Sequence, residues 1–288
     1  MIATRDEFKN IMGIPERDDS ENELLDLYLN AVDGLFNELC DYEFDSTTYI
    51  HELHNGTSAQ RLNLNHIPVT AITQLSIERI PAVRIKNTTT DAGRCTIDVD
   101  ISAQTLSYAI VGGTSAASGS FDLTDASYNT LSELVTGINA VGSGWSAEIY
   151  DADLNSILST ELLAVTGLNC GVPRGGGDAV WHELDIPGTP LSNFRLEDAD
   201  MGRLFLPGGF PKGVQNICVS YTAGYSPSTM PHELKMAVLT GAAALYQRGE
   251  EDGFGVSSFT DGALRVSYGK WLPDITLEML EHYKRKSV

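Results

Sequence analysis

The chain has 288 residues, about twice the ~100–200 of an ordinary domain, which points to two domains or one large one. Nineteen Lys+Arg against 39 Asp+Glu leave a formal charge of −20. That balance argues against a protein that grips nucleic acid by its phosphates and leaves room for one that DNA slides past. No apolar run approaches the ~18–20 residues of a membrane span, and the amino terminus lacks the basic flank and apolar core of a signal peptide. The cysteines Cys40, Cys95, Cys170 and Cys218 are scattered with no Cys-x-x-Cys pair, which fits free thiols in a reducing cytoplasm.

In chain order, the first periodic signal predicts a helix over residues 20–40. Leu24, Leu25, Tyr28, Leu29, Val32, Leu35, Phe36, Leu39 and Cys40 recur at the 3-and-4 spacing of one helical face. Ser20 with Glu23 has the pattern of a capping box, in which hydroxyl and carboxylate each satisfy a backbone amide. Asp18, Asp19 and Glu21 add negative charge at the positive end of the helix dipole. Glu23, Asp26, Asn30, Asp33 and Glu38 form the expected wet face. Strand formers follow at 47–53, with Asn55-Gly56 as the dipeptide of a tight turn. Arg61-Leu62-Asn63-Leu64-Asn65 alternates as a half-buried strand, Pro68 interrupts, and an extended pattern resumes over 71–77.

From about residue 81 to 195 the chain turns rich in Gly, Ser, Thr, Ala and Asp and poor in Lys and Arg. Strands are expected at 95–101, 105–111 and 145–150, and a helix at 129–141 with Gly142 past its end. Leu106, Ile110, Phe121, Leu134, Ile138, Trp145 and Ile149 are its candidate core. Strand-and-turn character returns at 203–209 and 216–221. Pro231 then opens a helix to about 248, closed by Gly249, with Leu234, Ala237, Val238, Gly241, Ala242 and Leu245 on one face. The small residues there allow another helix to approach closely. A Gly/Ser-rich stretch at 253–262, a short strand at 264–268 and a short helix at about 276–283 complete the chain. The expectation is an α+β fold: a small helical core with short strands and a hairpin, built from 1–80 and 196–288, interrupted by an inserted β-rich α+β domain at 81–195.

The search for chemistry is mostly negative. His51-Glu52-Leu53-His54 invites a metal reading, but a zinc helix needs histidines four apart on one helical face. These are three apart in a strand, where side chains at that spacing point to opposite faces, so structural or surface histidines are expected. Gly175-Gly176-Gly177 lacks the Lys-Ser/Thr of a phosphate loop and reads as a flexible loop. The carboxylate groups at Glu197/Asp198/Asp200, Glu250/Glu251/Asp252 and Asp122/Asp125 read as solvated faces of an acidic chain. Asp151-Ala152-Asp153 stops after two carboxylates, with no matching glycine turn or glutamate to complete a calcium loop. No Gly-x-Ser-x-Gly elbow and no activated cysteine stands out. No enzyme activity, metal or cofactor is expected.

One ordered set of segments does stand out. Leu39-Cys40-Asp41-Tyr42-Glu43-Phe44 ends the first helix, Asn55-Gly56 follows, and then the run from Arg61 through Pro68 to Ile72. Later come Val219-Ser220-Tyr221-Thr222-Ala223-Gly224-Tyr225 and the Met230-Pro231-His232-Glu233-Leu234 helix start. Over about the first 80 and last 85 residues this set resembles the head–tail connector (head-completion or adaptor) proteins of tailed bacteriophages. The inserted hundred residues depart from the compact members of that family.

The resemblance implies a structural virion protein of the head–tail neck, assembled in the host cytoplasm. It would form a ring, commonly dodecameric, between the portal protein and the next neck, stopper or tail-completion protein, extending the channel through which viral DNA passes. Packing of helical cores around the ring would fall to Leu234, Ala237, Gly241 and Leu245. The carboxy-terminal segment would engage the portal through Trp271, Leu272, Ile275, Leu277, Leu280, Tyr283 and Lys284. Within that apolar set Leu277, Leu280 and Lys284 fit a short amphipathic helix with a basic end, too short to be stable alone. An acidic lumen suits passing DNA, because like charge removes the attraction that would stall it. The alternative is a virion surface or adhesion protein whose insertion binds a glycan, with Trp145, Tyr150 and Trp181 as stacking rings.

Overall fold

The computed structural model describes residues 2–15, 21–41, 43–173, 176–250, 258–261, 264–267, 274–281 and 283. In order these form α1 (Arg5–Met12), α2 (Asn22–Cys40), β1 (Thr47–Gly56), β2 (Arg61–Asn63), β3 (Val69–Asn87), β4 (Arg94–Asp100), β5 (Thr105–Val111) and β6 (Ala117–Asp122). Then come α3 (Leu131–Val141), β7 (Trp145–Ile149), β8 (Val165–Asn169), β9 (His182–Pro190), β10 (Arg195–Asp198), β11 (Arg203–Phe205) and β12 (Gly213–Ala223). The chain closes with α4 (His232–Glu250), β13 (Ser258–Asp261), β14 (Leu264–Ser267) and α5 (Asp274–Leu280). The fold is α+β.

The helical layer joins the two ends of the chain. α2 buries Leu25, Leu29, Val32, Phe36 and Cys40 against Leu234, Ala237, Val238 and Ala242 of α4, and Leu280 of α5 completes the cluster. The α2 cap falls on Glu21 with no side-chain hydrogen bond, one residue later than the Ser20 box anticipates. Ser20, Asp18 and Asp19 lie outside the described residues. A true capping box does exist, at α1: the Glu7 amide donates to Thr4 Oγ1 at 3.2 Å and the Thr4 amide to Glu7 Oε2 at 2.8 Å. The same carboxylate accepts Lys235 Nζ at 2.8 Å, which ties α1 to α4.

Three helical expectations need correcting. Asp33 belongs to the core rather than the wet face: it is buried and accepts the Ile2 amide at 2.9 Å. Conversely Leu24 and Leu39 are exposed, as is Leu27, because the buried arc of α2 is narrower than its apolar content. Gly249 does not end α4, which continues through it to Glu250.

Among the described residues the strands form three larger sheets and the β13–β14 pair. The order β1-β12-β3-β7, with β9 also on β3, makes the first sheet; β6-β5-β4-β8 and β10-β11-β2 make the others. β3 is nineteen residues long and runs straight through Pro81. Its first half pairs with β12, its second with β9 and β7. A register shift between Pro81 and Val83 accommodates the proline, whose missing N–H a regular ladder would not tolerate.

Asn55-Gly56 is likewise not a tight turn. Both residues end β1, Gly56 pairs with Gly213, and Asn55 Oδ1 accepts the Gln215 amide at 2.7 Å. Glycine is required at 56 by close approach, since a Cβ there would lie 1.7 Å from the Pro211 carbonyl oxygen.

Three apolar clusters divide the described residues. One draws its buried members only from Ala82 to Ile186 and includes the expected core residues Leu106, Ile110, Phe121, Leu134, Ile138 and Trp145, with Ile149 packed at its edge. The second is the helical layer. The third lies between the first sheet and β10-β11-β2, around Leu75, Leu204, Phe210, Val219 and Tyr221.

Candidate interaction surfaces

The polar centre of the molecule is Glu52, and a β-bulge creates it. Tyr49 pairs with Tyr221 and Glu52 with Val219, so three steps along β1 match two along β12. His51, inside the bulge, adopts φ 53°. The extra residue shifts the alternation, so Glu52 joins Tyr49 on the face of Tyr221. There its carboxylate accepts the Tyr221 hydroxyl and Asn65 Nδ2 at 2.7 Å, while His54 Nε2 lies 3.2 Å from Oε2 and His66 Nε2 3.7 Å from Oε1. The His66 amide donates to the Tyr221 oxygen at 3.2 Å, and its ring stacks on Tyr49 with centroids 3.7 Å apart. Burial alone would raise the Glu52 carboxyl, but the hydrogen bonds from His54, Tyr221 and Asn65 outweigh it and hold the pKa at about 2. Burial, then the Glu52 charge, pushes the Tyr221 phenol far up, so it stays a donor.

His51 and His54 thus serve different carboxylates. His54 meets Glu52, whereas His51 Nε2 lies 3.4 Å from Glu161 Oε2 and the His51 amide donates to Ser220 Oγ at 2.9 Å. Both rings are structural and buried, and among the described residues no group of three or more His, Cys, Asp or Glu is placed to hold a metal ion. The cluster locks β1, β12 and the segment after β2 together.

Beside it opens a cleft of about 1420 Å³ between the α2–β1 corner and the β4–β8 edge. Its lining includes Glu38, Asp41, Glu43, Asp98 and Asp100 and, among the described residues, one arginine or lysine, Arg79. Asp98 and Asp100 also hold local backbone, accepting the Gly167 and Ala103 amides at 2.6 and 3.0 Å.

A surface of the opposite sign lies on β10-β11-β2. Arg195 pairs with Phe205 and Phe205 with Arg61, while Leu196, Leu204 and Leu62 between them face the core. Alternation therefore sends the arginines outward together. The guanidiniums of Arg195 and Arg61 lie 4.5 and 5.8 Å from the Phe205 ring centroid. Arg61 also donates twice to Glu197, at 2.6 and 2.8 Å. The Arg61 hydrogen bonds, with the nearby charges of Arg61, Arg203 and Arg195, hold Glu197 below the usual carboxylate range.

The ring-packing and portal-docking candidates are mostly turned inward. Leu234 and Ala237 are completely buried within the chain, which leaves them no surface for a neighbouring copy; Gly241 is buried and Leu245 half-buried. Leu280 is also fully buried, with Leu277 and Tyr283 packed against the same cluster and Tyr283 edge-on to Phe44. Leu280 is thus taken up by the chain's own α2–α4 layer, while Leu277 and Tyr283 are half-buried against it. Ile275 is 55% exposed. Trp271, Leu272 and Lys284 lie outside the described residues. Of the proposed stacking rings, Trp145 is buried core, Tyr150 is exposed, and Trp181 is covered by Arg84 and Lys86 at 5.0 and 4.3 Å. Among the described residues no helix is long and apolar enough to cross a membrane.

The Glu52 cluster was announced only by its His-Glu-Leu-His spelling; its phase depends on a bulge visible only against β12. The arginine face was legible in part, as the alternation at 61–65, but its partners come from more than 130 residues away.

No protein-family model matches the chain, and no curated protein matches it. Among solved structures it is similar to a chain of the neck of an empty GTA particle computed with C6 symmetry. That likeness has 13% identity and a TM-score of 0.38, and covers 99% of this chain and 91% of that one.

Proposed function

We propose that the chain is a structural, non-enzymatic component of a bacteriophage-type head–tail neck, assembling as a ring that continues the DNA channel and offers surfaces to the proteins above and below. The observation that carries the reading is how the two resembling segments close on each other. β1 pairs with β12 and β12 with β3, α2 packs on α4, and Ser46 of the first segment donates to the Tyr225 carbonyl at 3.0 Å. The Tyr221-Thr222-Ala223-Gly224-Tyr225 run thus sits where it joins sheet to helix. Gly224 adopts φ 100° with no room for a side chain, since a Cβ would meet the Asp45 carbonyl oxygen at 2.4 Å. The net charge of −20 also suits a channel past which DNA must move without sticking. Electron microscopy and native mass of the purified full chain test the reading. Closed rings with a central hole are expected, and a monomer at every soluble concentration, with or without a portal, overturns it.

A further inference from the structure

We infer that the outward face of β10-β11-β2 is a docking surface for a second copy of this chain, and that its occupant is the acidic cleft beside Glu52. The inference rests on the ring reading above and names its contact. With Leu234 and Ala237 sealed inside the chain, side-by-side packing must use a different surface.

The two surfaces match in charge. Arg61, Arg195 and Arg203 stand on one small sheet whose central carboxylate is Glu197, while Asp198 turns its Oδ1 back to the Met201 amide at 3.0 Å. Three of the chain's 19 basic residues are gathered here, around an aromatic ring. The cleft presents Glu38, Asp41, Glu43, Asp98 and Asp100 against the single cation Arg79 among its described lining. Planar guanidiniums held against Phe205 are preorganised for paired hydrogen bonds to carboxylates.

A protein carboxylate surface fits better than a phosphate backbone. Glu197, clamped by Arg61 in the middle of the face, would oppose a continuous line of phosphates, and the chain's overall charge opposes a long polyanion. The face and the cleft are different patches, so their contact is head-to-tail, the kind that closes into a ring when the rotation permits.

The test uses the full chain with Arg195→Glu/Arg203→Glu in one variant and Glu38→Lys/Glu43→Lys in another. Arg61 and Asp98 stay untouched because each holds local structure, and thermal melts establish that both variants fold. Each variant alone should lose the assembly seen for the parent in sedimentation velocity. Equimolar mixing should restore it, because the reversed side chains of one variant then face those of the other, while the unreplaced face and cleft meet as in the parent. If the parent forms rings and both variants do as well, this contact is wrong while the ring reading stands. A parent that never assembles removes both. If the arginine variant assembles normally but loses binding to a labelled DNA duplex, the face belongs to nucleic acid and the inference is overturned.

Discussion

The Tyr221 hydroxyl donates to the Glu52 carboxylate across 169 positions of sequence, and that bond joins β1 to β12 at the centre of the molecule. Tyr221→Phe removes the donor while keeping the ring in its apolar cluster, and leaves a half-buried carboxylate one hydrogen bond short. A loss of about 1–3 kcal/mol in urea unfolding is expected. The pH dependence follows from the depressed Glu52 carboxyl. With a folded pKa of about 2 against 4.5, the folded state holds fewer protons than the unfolded state in between. The stabilisation is therefore complete above pH 4.5 and lost as pH falls toward 2. Glu52→Gln should lower stability at neutral pH and flatten that acid limb. Parallel limbs for variant and parent would remove Glu52 from the account.

The bulge behind that bond explains what sequence alone reveals. Helices α2, α3 and α4 are legible because a 3.6-residue period needs only local information, and the small face Ala237-Gly241-Ala242 does meet a helix. Asp33 escaped because its acceptor role depends on Ile2, far away in sequence. The α1 helix was missed although Thr4 and Glu7 spell its capping box and Phe8, Ile11 and Met12 keep helical spacing, because eight residues make only about two turns of pattern. Pro81 misled in the opposite sense: a proline reads as punctuation, yet the register shift beside it lets β3 continue. Glu52, His51 and Arg195 acquire their surroundings from strands paired over long separations, and no local pattern carries that.

Leu27 and Leu29 separate the two faces of α2. Leu29 is fully buried and Leu27 is 62% exposed, two residues apart on one helix. Leu29→Ala should cost about 2–5 kcal/mol and Leu27→Ala less than about 0.5. Asp26→Ala should lose at most about 1 kcal/mol, because its ion pair with Arg5 is part-exposed. Equal losses at Leu27 and Leu29, measured by urea titration, would mean that α2 presents a different face to α4.

All four cysteines are buried thiols outside any disulfide. Burial pushes the Cys95 thiol up; burial together with the neighbouring Cys95 takes Cys170 to about 12, and burial with Glu161 takes Cys218 to about 12. At Cys95, Cys170 and Cys218 thiolate, the reactive form, is therefore scarce at neutral pH as well as inaccessible. An aromatic disulfide reagent should label the native chain negligibly and take up four equivalents once the chain is unfolded. Rapid labelling of the native protein would contradict the burial of at least one of them.

The segment between β3 and β9 should be removable, and the register says where to cut. Every buried member of its apolar cluster falls between Ala82 and Ile186, so excision within that span would leave torn core. Leu191, Phe194 and Leu196 pack instead with the cluster under β10-β11-β2, which places the useful carboxy-terminal cut before them rather than at 195. Ile77 and Thr189 are opposite each other on β3 and β9. Replacing 78–188 by Asn-Gly would close them with a two-residue hairpin turn whose twist suits the flanking strands. The hydrogen bond from the Leu191 amide to the Leu75 carbonyl, at 2.8 Å, stays available to fix that hairpin. The cost lies at Glu161, which leaves with the segment, so that the His51 ring loses its carboxylate and its cover and Gln74 loses the same hydrogen-bond partner. His51 is then free to take water as its partner, so the loss should lower the melting temperature without abolishing cooperative unfolding. Circular dichroism should retain the helical signal of α2 and α4, and calorimetry should show a single transition. A soluble product that melts without cooperativity, or one that only aggregates, would mean the 82–186 cluster supports the rest of the fold.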